Sequence, residues 1–69
     1  MSQSARRVIS DKIKLLRTKS GLKREELSLK LGMDNSYISK VERYKVNFTI
    51  DRLEKIAAFF NIDIKEFFK

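Results

Sequence analysis

The residue types that are missing bound the chemistry of this chain first. Its 69 residues include no His and no Cys. Without imidazole there is no Ser-His-Asp triad and no histidine metal ligand. Without thiol there is no cysteine nucleophile, disulfide or thiolate metal site. Paired carboxylates or a Ser-Lys arrangement remain, and a chain this short leaves little room for a substrate cleft. The expectation is a protein that is not an enzyme, with no cofactor, no metal and no small-molecule ligand. What the chain has is positive charge: 16 Lys and Arg stand against nine Asp and Glu, a formal net charge of +7. Residues 1–24 carry Arg6, Arg7, Lys12, Lys14, Arg17, Lys19, Lys23 and Arg24 against Asp11 alone, and residues 25–69 are balanced. The whole excess lies in the first third. Such asymmetry suits a polyanion or an anionic surface, and a solubilising basic face is the competing reading.

A second constellation lies between Arg24 and Arg43. Two helices that cross near 90–120° through a tight turn need a small residue at the crossing and a residue tolerant of positive φ in the turn. Ser28 and Gly32 supply these. Ile38 and Val41 follow at spacings that point back to a core, opposite Leu27 and Leu31.

The elements that position these residues read as helices throughout. There is no Pro and only two Gly. Ile9, Ile13 and Leu16 share one face of a first helix, which begins near Val8 and ends before Gly21. Residues 1–7 ahead of it are expected to form a flexible basic arm, and 8–69 a single domain. A second helix starts near Lys23 or Arg24, with Glu25 and Glu26 in its first turn, and stops at Gly32. A third is expected from an Asp34 cap through Arg43, with only Ile38 and Val41 aliphatic, so most of its surface is left for something else. Thr49 caps a fourth helix that is expected to bury Ile50, Leu53, Ile56, Ala57 and Phe60 and ends at Asn61. Asp63 and Glu66 have the spacing of a capping box for a short fifth helix. The fold class is therefore all-α: five short helices around one core. No apolar run reaches the roughly 20 residues that span a bilayer, and a cytoplasmic location is the default.

At this level the sequence resembles the Cro/C1-type helix-turn-helix family, the xenobiotic-response-element (XRE) type of bacterial and phage regulators. The matching stretches are IKLLRTKSGL at 13–22, EELSLKLGM at 25–33, SYISKVER at 36–43 and TIDRLEKIAAFFNI at 49–62. The resemblance implies a compact, lambda repressor-like five-helix DNA-binding domain. Its helix-turn-helix would occupy about 24–43, with the third helix lying in the major groove. It implies a transcriptional regulator of double-stranded DNA, nucleoid-associated, acting as a homodimer on a palindromic operator. A phage-type repressor and a controller protein of a restriction–modification system both fit.

The resemblance also assigns roles. The N-terminal residues of a recognition helix face base edges, which nominates Asn35, Ser36, Ser39 and Lys40. Lys23, Arg24, Tyr37, Arg43, Lys45 and Asn47 flank that helix and are the expected phosphate contacts. The family pattern further implies a structural ion pair between Arg17 and Glu42, which suits a bidentate guanidinium tying the third helix to the first.

Four departures from the family pattern stand out. Arg24 replaces a usual Gln and adds a charge. Lys23 replaces a Ser or Thr cap, a loss of about 1 kcal/mol that phosphate attraction would offset. Tyr44 replaces a Gly, so either the helix ends differently or Tyr44 gains compensating contacts. Phe48 replaces a Pro and is expected to close the core beneath the fourth helix. Phe59, Phe60, Phe67 and Phe68 are more aromatics than a small domain easily buries. Phe60 and Phe67 are assigned to the core, and Phe59 and Phe68 to a dimer interface.

Two other readings compete with a regulator. An antitoxin or adaptor would use the same fold for a protein partner, though the sequence shows no added toxin-binding segment. A nonspecific nucleic-acid or membrane-surface binder would use only the basic first third.

Overall fold

The computed structural model describes residues 2–68, with side chains from residue 5 onward. It contains four α-helices and a closing 3-10 turn: α1 (Ser2–Lys19), α2 (Arg24–Lys30), α3 (Tyr37–Glu42), α4 (Ile50–Phe59) and a 3-10 segment, Ile64–Phe68. There is no strand among the described residues. The Cα radius of gyration is 10.8 Å. Among the described residues, no helix is long and apolar enough to cross a membrane.

Each helix contributes its apolar stripe to one core. Ile9 and Ile13 come from α1, Leu27 and the following Leu31 from α2, Ile38 and Val41 from α3, Leu53, Ile56 and Ala57 from α4, and Phe67 from the 3-10 segment. Phe67 is fully buried, and its segment packs on both α1 and α4, so the C-terminal residues close the core. Phe48 and Phe60 are half-buried against the same cluster, as the sequence suggests. Ile50, expected on the buried face of α4, is exposed instead, because it stands at the first position of the helix, a turn short of the core residues Leu53, Ile56 and Ala57.

All four α-helices end in one way. The residue after each C-cap has positive φ: Gly21 at 72°, Gly32 at 73°, Tyr44 at 62° and Asn61 at 58°. In each case the next N–H reaches back to the carbonyl five residues earlier, as in Met33 N to Ser28 O at 2.9 Å and Lys45 N to Lys40 O at 2.9 Å. This is the Schellman arrangement, and it turns the chain sharply enough to pack short helices across one another. Glycine and asparagine tolerate the conformation; Tyr44 does not do so by itself.

Three boundaries differ from the sequence expectation. Residues 2–7, expected as a basic arm, are the first turns of α1. No helix breaker stands before Val8, and Arg6 and Arg7 find partners on the loop after α3, which hold these turns down. Met1 of that expected arm lies outside the described residues.

The third helix begins at Tyr37 rather than after Asp34. Asp34 caps a local turn instead: its carboxylate accepts the Ser36 hydroxyl at 2.6 Å, and its carbonyl accepts Tyr37 N at 2.9 Å. The fifth helix is a 3-10 segment. The Asp63 carboxylate accepts Lys65 N at 3.0 Å and its carbonyl accepts Glu66 N at 2.9 Å, so the segment opens on a tight three-residue turn.

Candidate nucleic-acid interface

The outward surface of α3 is positioned by two buried attachments, one at each end. At the start, Ser28 sits where α2 and α3 cross, with no exposed surface. Its hydroxyl donates to Arg24 O at 2.8 Å and accepts from Ile38 N at 2.9 Å. One of the first N–H groups of α3, which no helix can satisfy internally, is thus satisfied from the neighbouring helix. A larger residue would push the helices apart.

At the end of α3, Glu42 meets Arg17 of α1. Arg17 Nε donates to Oε2 at 2.6 Å and Nη2 to Oε1 at 3.3 Å, while Nη1 donates to Leu22 O at 2.7 Å. The two side chains are only 11% and 7% exposed. A planar guanidinium fits this task because one side chain grips the carboxylate with two donors and the connecting loop with a third. Arg24 Nη1 approaches Glu42 Oε1 at 3.6 Å from the solvent side, so one carboxylate lies between two guanidiniums.

Between these attachments, an open depression of ≈ 560 Å³ gathers Lys23, Arg24, Asn35, Ser36 and Ser39 beside Arg17 and Glu25. Asn35 is tied to α2 through Nδ2 to Glu25 Oε2 at 3.3 Å. The Ser36 hydroxyl is engaged by Asp34, and this bond, the largest influence, holds the Asp34 carboxyl below the usual value. Lys40 stands outside the depression, exposed, with Nζ 4.0 Å from Asp34 Oδ2. Lys23 cannot accept a bond with its side chain, but its N–H donates to Glu26 Oε1 at 3.0 Å, so half of a capping box survives at the start of α2.

Of the flanking residues, Arg43, Lys45 and Asn47 are exposed. Asn47 Oδ1 accepts a bond from Arg6 Nη2. Tyr37 does not fit the phosphate-contact expectation. It is 8% exposed, its ring belongs to the core, and its hydroxyl is buried without a protein partner. Tyr37 lies one helical turn before Val41 and shares its inward face, so the ring enters the core and carries the hydroxyl with it. The Arg52 guanidinium lies 5.3 Å from the ring centroid, covering it from α4.

Tyr44 keeps its strained conformation through contacts with α1. Its hydroxyl donates to Asp11 Oδ1 at 2.7 Å, and the Arg7 guanidinium lies 4.5 Å from its ring centroid. The bond to Asp11 is the first cause raising the Tyr44 pKa above its ordinary value.

Sequence reasoning did not single out Lys14. It lines a second depression, of ≈ 400 Å³, with Arg24, Ser39, Glu42 and Arg43. The signal was available: Lys14 precedes Arg17 by one helical turn and so shares its face. Phe59 and Phe68 are 39% and 56% exposed, and Phe59 stacks edge-on to Phe60 at 5.1 Å. Among the described residues no group of three acidic side chains is placed to hold a metal ion.

A helix pair joined at a small buried serine, with a sharp glycine turn and an outward second helix, defines the helix-turn-helix class. A family model described as helix-turn-helix matches residues 13–67. The chain is 38% identical over 56 residues to a Neisseria hypothetical transcription factor of Neisseria meningitidis serogroup B, covering 81% of this chain and 53% of the relative. It thus spans about half the length of that curated relative. A crystal structure of a hypothetical transcription factor from Neisseria superposes with a TM-score of 0.86 at 31% identity, covering 97% of this chain and 77% of the other. The chain belongs to the helix-turn-helix family, of the Cro/C1 (XRE) type.

Proposed function

We propose that the protein is a sequence-specific regulator of transcription that sets α3 into the major groove of double-stranded DNA. The observation that carries this reading is the mounting of α3. Both ends are fixed by buried bonds, Ser28 to Ile38 and Arg17 to Glu42, while its outer edge and flanking cations stay exposed. A rigid helix held outward by its neighbours is what base reading requires, because displaced contacts lose their geometry. The transcription factors it resembles support the same reading.

In this reading Asn35, Ser36, Ser39 and Lys40 meet base edges. Asn suits adenine and Lys suits guanine O6 and N7. Lys23, Arg24, Arg43, Lys45 and Asn47 hold the phosphates. Two copies joined through Phe59 and Phe68 place two such helices on a palindromic site, about 34 Å apart. The protein works in the cytoplasm at the nucleoid, without enzymatic activity.

The test is selection of bound duplexes from a random pool, followed by titration of selected and scrambled sequences at several salt concentrations. A specific regulator separates the two by about 4–10 kcal/mol. Lys40→Ala then narrows that gap, while Arg24→Ala weakens both sequences alike. Equal affinity for every duplex would leave only nonspecific phosphate attraction and refute the proposal.

A further inference from the structure

The depression between α1 and the end of α3 contains cations that the fold itself does not use. Lys14, Arg24, Ser39, Glu42 and Arg43 line it. Glu42 is already engaged by Arg17 and approached by Arg24. Among the described residues, Lys14 and Arg43 have no hydrogen-bond or ion-pair partner for their side chains, and both are exposed. A concave site with two free cations, a third only loosely paired, a half-buried hydroxyl and a neutralised carboxylate attracts an anion. The site adjoins the depression that holds Asn35 and Ser36, with Arg24 and Ser39 common to both. Any polyanion lying along α3 therefore passes over it.

One acidic residue could cancel this. Asp11 precedes Lys14 by three residues on α1, a spacing at which a carboxylate and a lysine pair on a helix surface. It does not serve Lys14; its carboxylate accepts the Tyr44 hydroxyl at 2.7 Å. We propose that Lys14, together with Arg43, forms a binding site for a backbone phosphate of the DNA, and that the Tyr44–Asp11 bond keeps Lys14 free for it. The inference rests on the DNA-binding reading above and adds to it a contact from α1. It also gives Tyr44, strained where glycine is easy, a task beyond closing the helix.

The test uses the full chain and a duplex selected for binding, beside a scrambled duplex, titrated across salt concentrations. Each phosphate contact contributes about −0.9 to the slope of log K against log salt for double-stranded DNA. Lys14→Gln makes the slope shallower by about that amount and weakens both duplexes several-fold alike. Lys14→Arg restores slope and affinity, and the melting curves of both variants match that of the parent. Lys65→Gln, the same loss of charge on the 3-10 segment, leaves the slope in place. Tyr44→Phe weakens binding in the parent but adds nothing in the Lys14→Gln background.

An unchanged slope in Lys14→Gln, or an equal change in Lys65→Gln, overturns the site. Full additivity of Tyr44→Phe with Lys14→Gln overturns the role of the tyrosine. A parent protein that binds no duplex at any salt concentration removes the DNA-binding reading itself, which separates that failure from the failure of this site.

Discussion

Tyr44 and Ser28 are two single residues on which the neighbourhood of α3 depends. The φ of 62° at Tyr44 is held by the Asp11 carboxylate and the Arg7 guanidinium. The hydroxyl's bond to Asp11 favours the protonated phenol and outweighs the opposing pull of the Arg7 cation. A pKa raised by folding gives stability that is fully present below the unfolded value and is lost as pH rises through the folded one. Stability should therefore decline on the alkaline side of about pH 10. The decline should be smaller in Tyr44→Phe, as followed by urea unfolding at stepped alkaline pH. An identical alkaline profile in the variant would detach the effect from this residue. Ser28 makes a different prediction. Ser28→Ala leaves the buried Ile38 N–H without a partner, at a cost of about 1–3 kcal/mol. Urea denaturation measures it directly, and a loss below a few tenths would mean that α3 relaxes onto another acceptor. The serine was legible from spacing as a small crossing residue, but its hydrogen bond was not, because small size and hydroxyl chemistry make separate demands.

Among the elements, α3 is only six residues long and is not expected to persist by itself. It depends on its attachments to α1 and α2. Glu42→Ala leaves the nearly buried Arg17 charge without its carboxylate, and breaking such a pair costs about 3–5 kcal/mol. Arg17 keeps its bond to Leu22 O, which places the expected loss at the lower end of that range. A double-mutant cycle with Arg17→Met separates the pair's coupling from this stranded charge. If the two single losses simply add, the pair does not act as a unit. The same dependence explains why the start of α3 was misjudged from sequence. Asp34 is a good cap by type, but its carboxylate and carbonyl close a turn with Ser36 and Tyr37 before the helix begins. Propensity cannot rank two local bonds that use the same acceptor. The first turns of α1 show the opposite case. Residues 2–7 have no apolar periodicity to announce a helix, and the tertiary contacts of Arg6 and Arg7 with Asn47 and Tyr44 supply what the pattern lacks.

For the whole molecule, the aromatic cluster divides as its size requires. Phe67 fills the centre and Phe60 the margin, while Phe59 and Phe68 remain at the surface. In the proposed dimer these two exposed rings are the ones a second copy would cover. Replacing Phe59 and Phe68 together with Ser should shift sedimentation towards the monomer while changing the melting temperature little. Loss of folding with no change in association would place both rings in the core economy instead. The charge also takes its place at this scale. The +7 of the first third is carried by α1 and the start of α2. These elements pack beside α3, so Lys14, Lys23 and Arg24 border the near-neutral outer face of that helix.

The sequence alone determined the all-helical class, three of the four C-terminal stops, most of the core faces and the helix-turn-helix spacing. These follow from local rules: φ tolerance at Gly21, Gly32 and Asn61, and the helical repeat of apolar residues. Only the tertiary structure decided which polar groups meet. Tyr37 lost its hydroxyl to the core, Tyr44 found Asp11, and Lys14 came to line one depression with Arg43, because each outcome depends on residues distant in the chain and brought together by the crossing of helices.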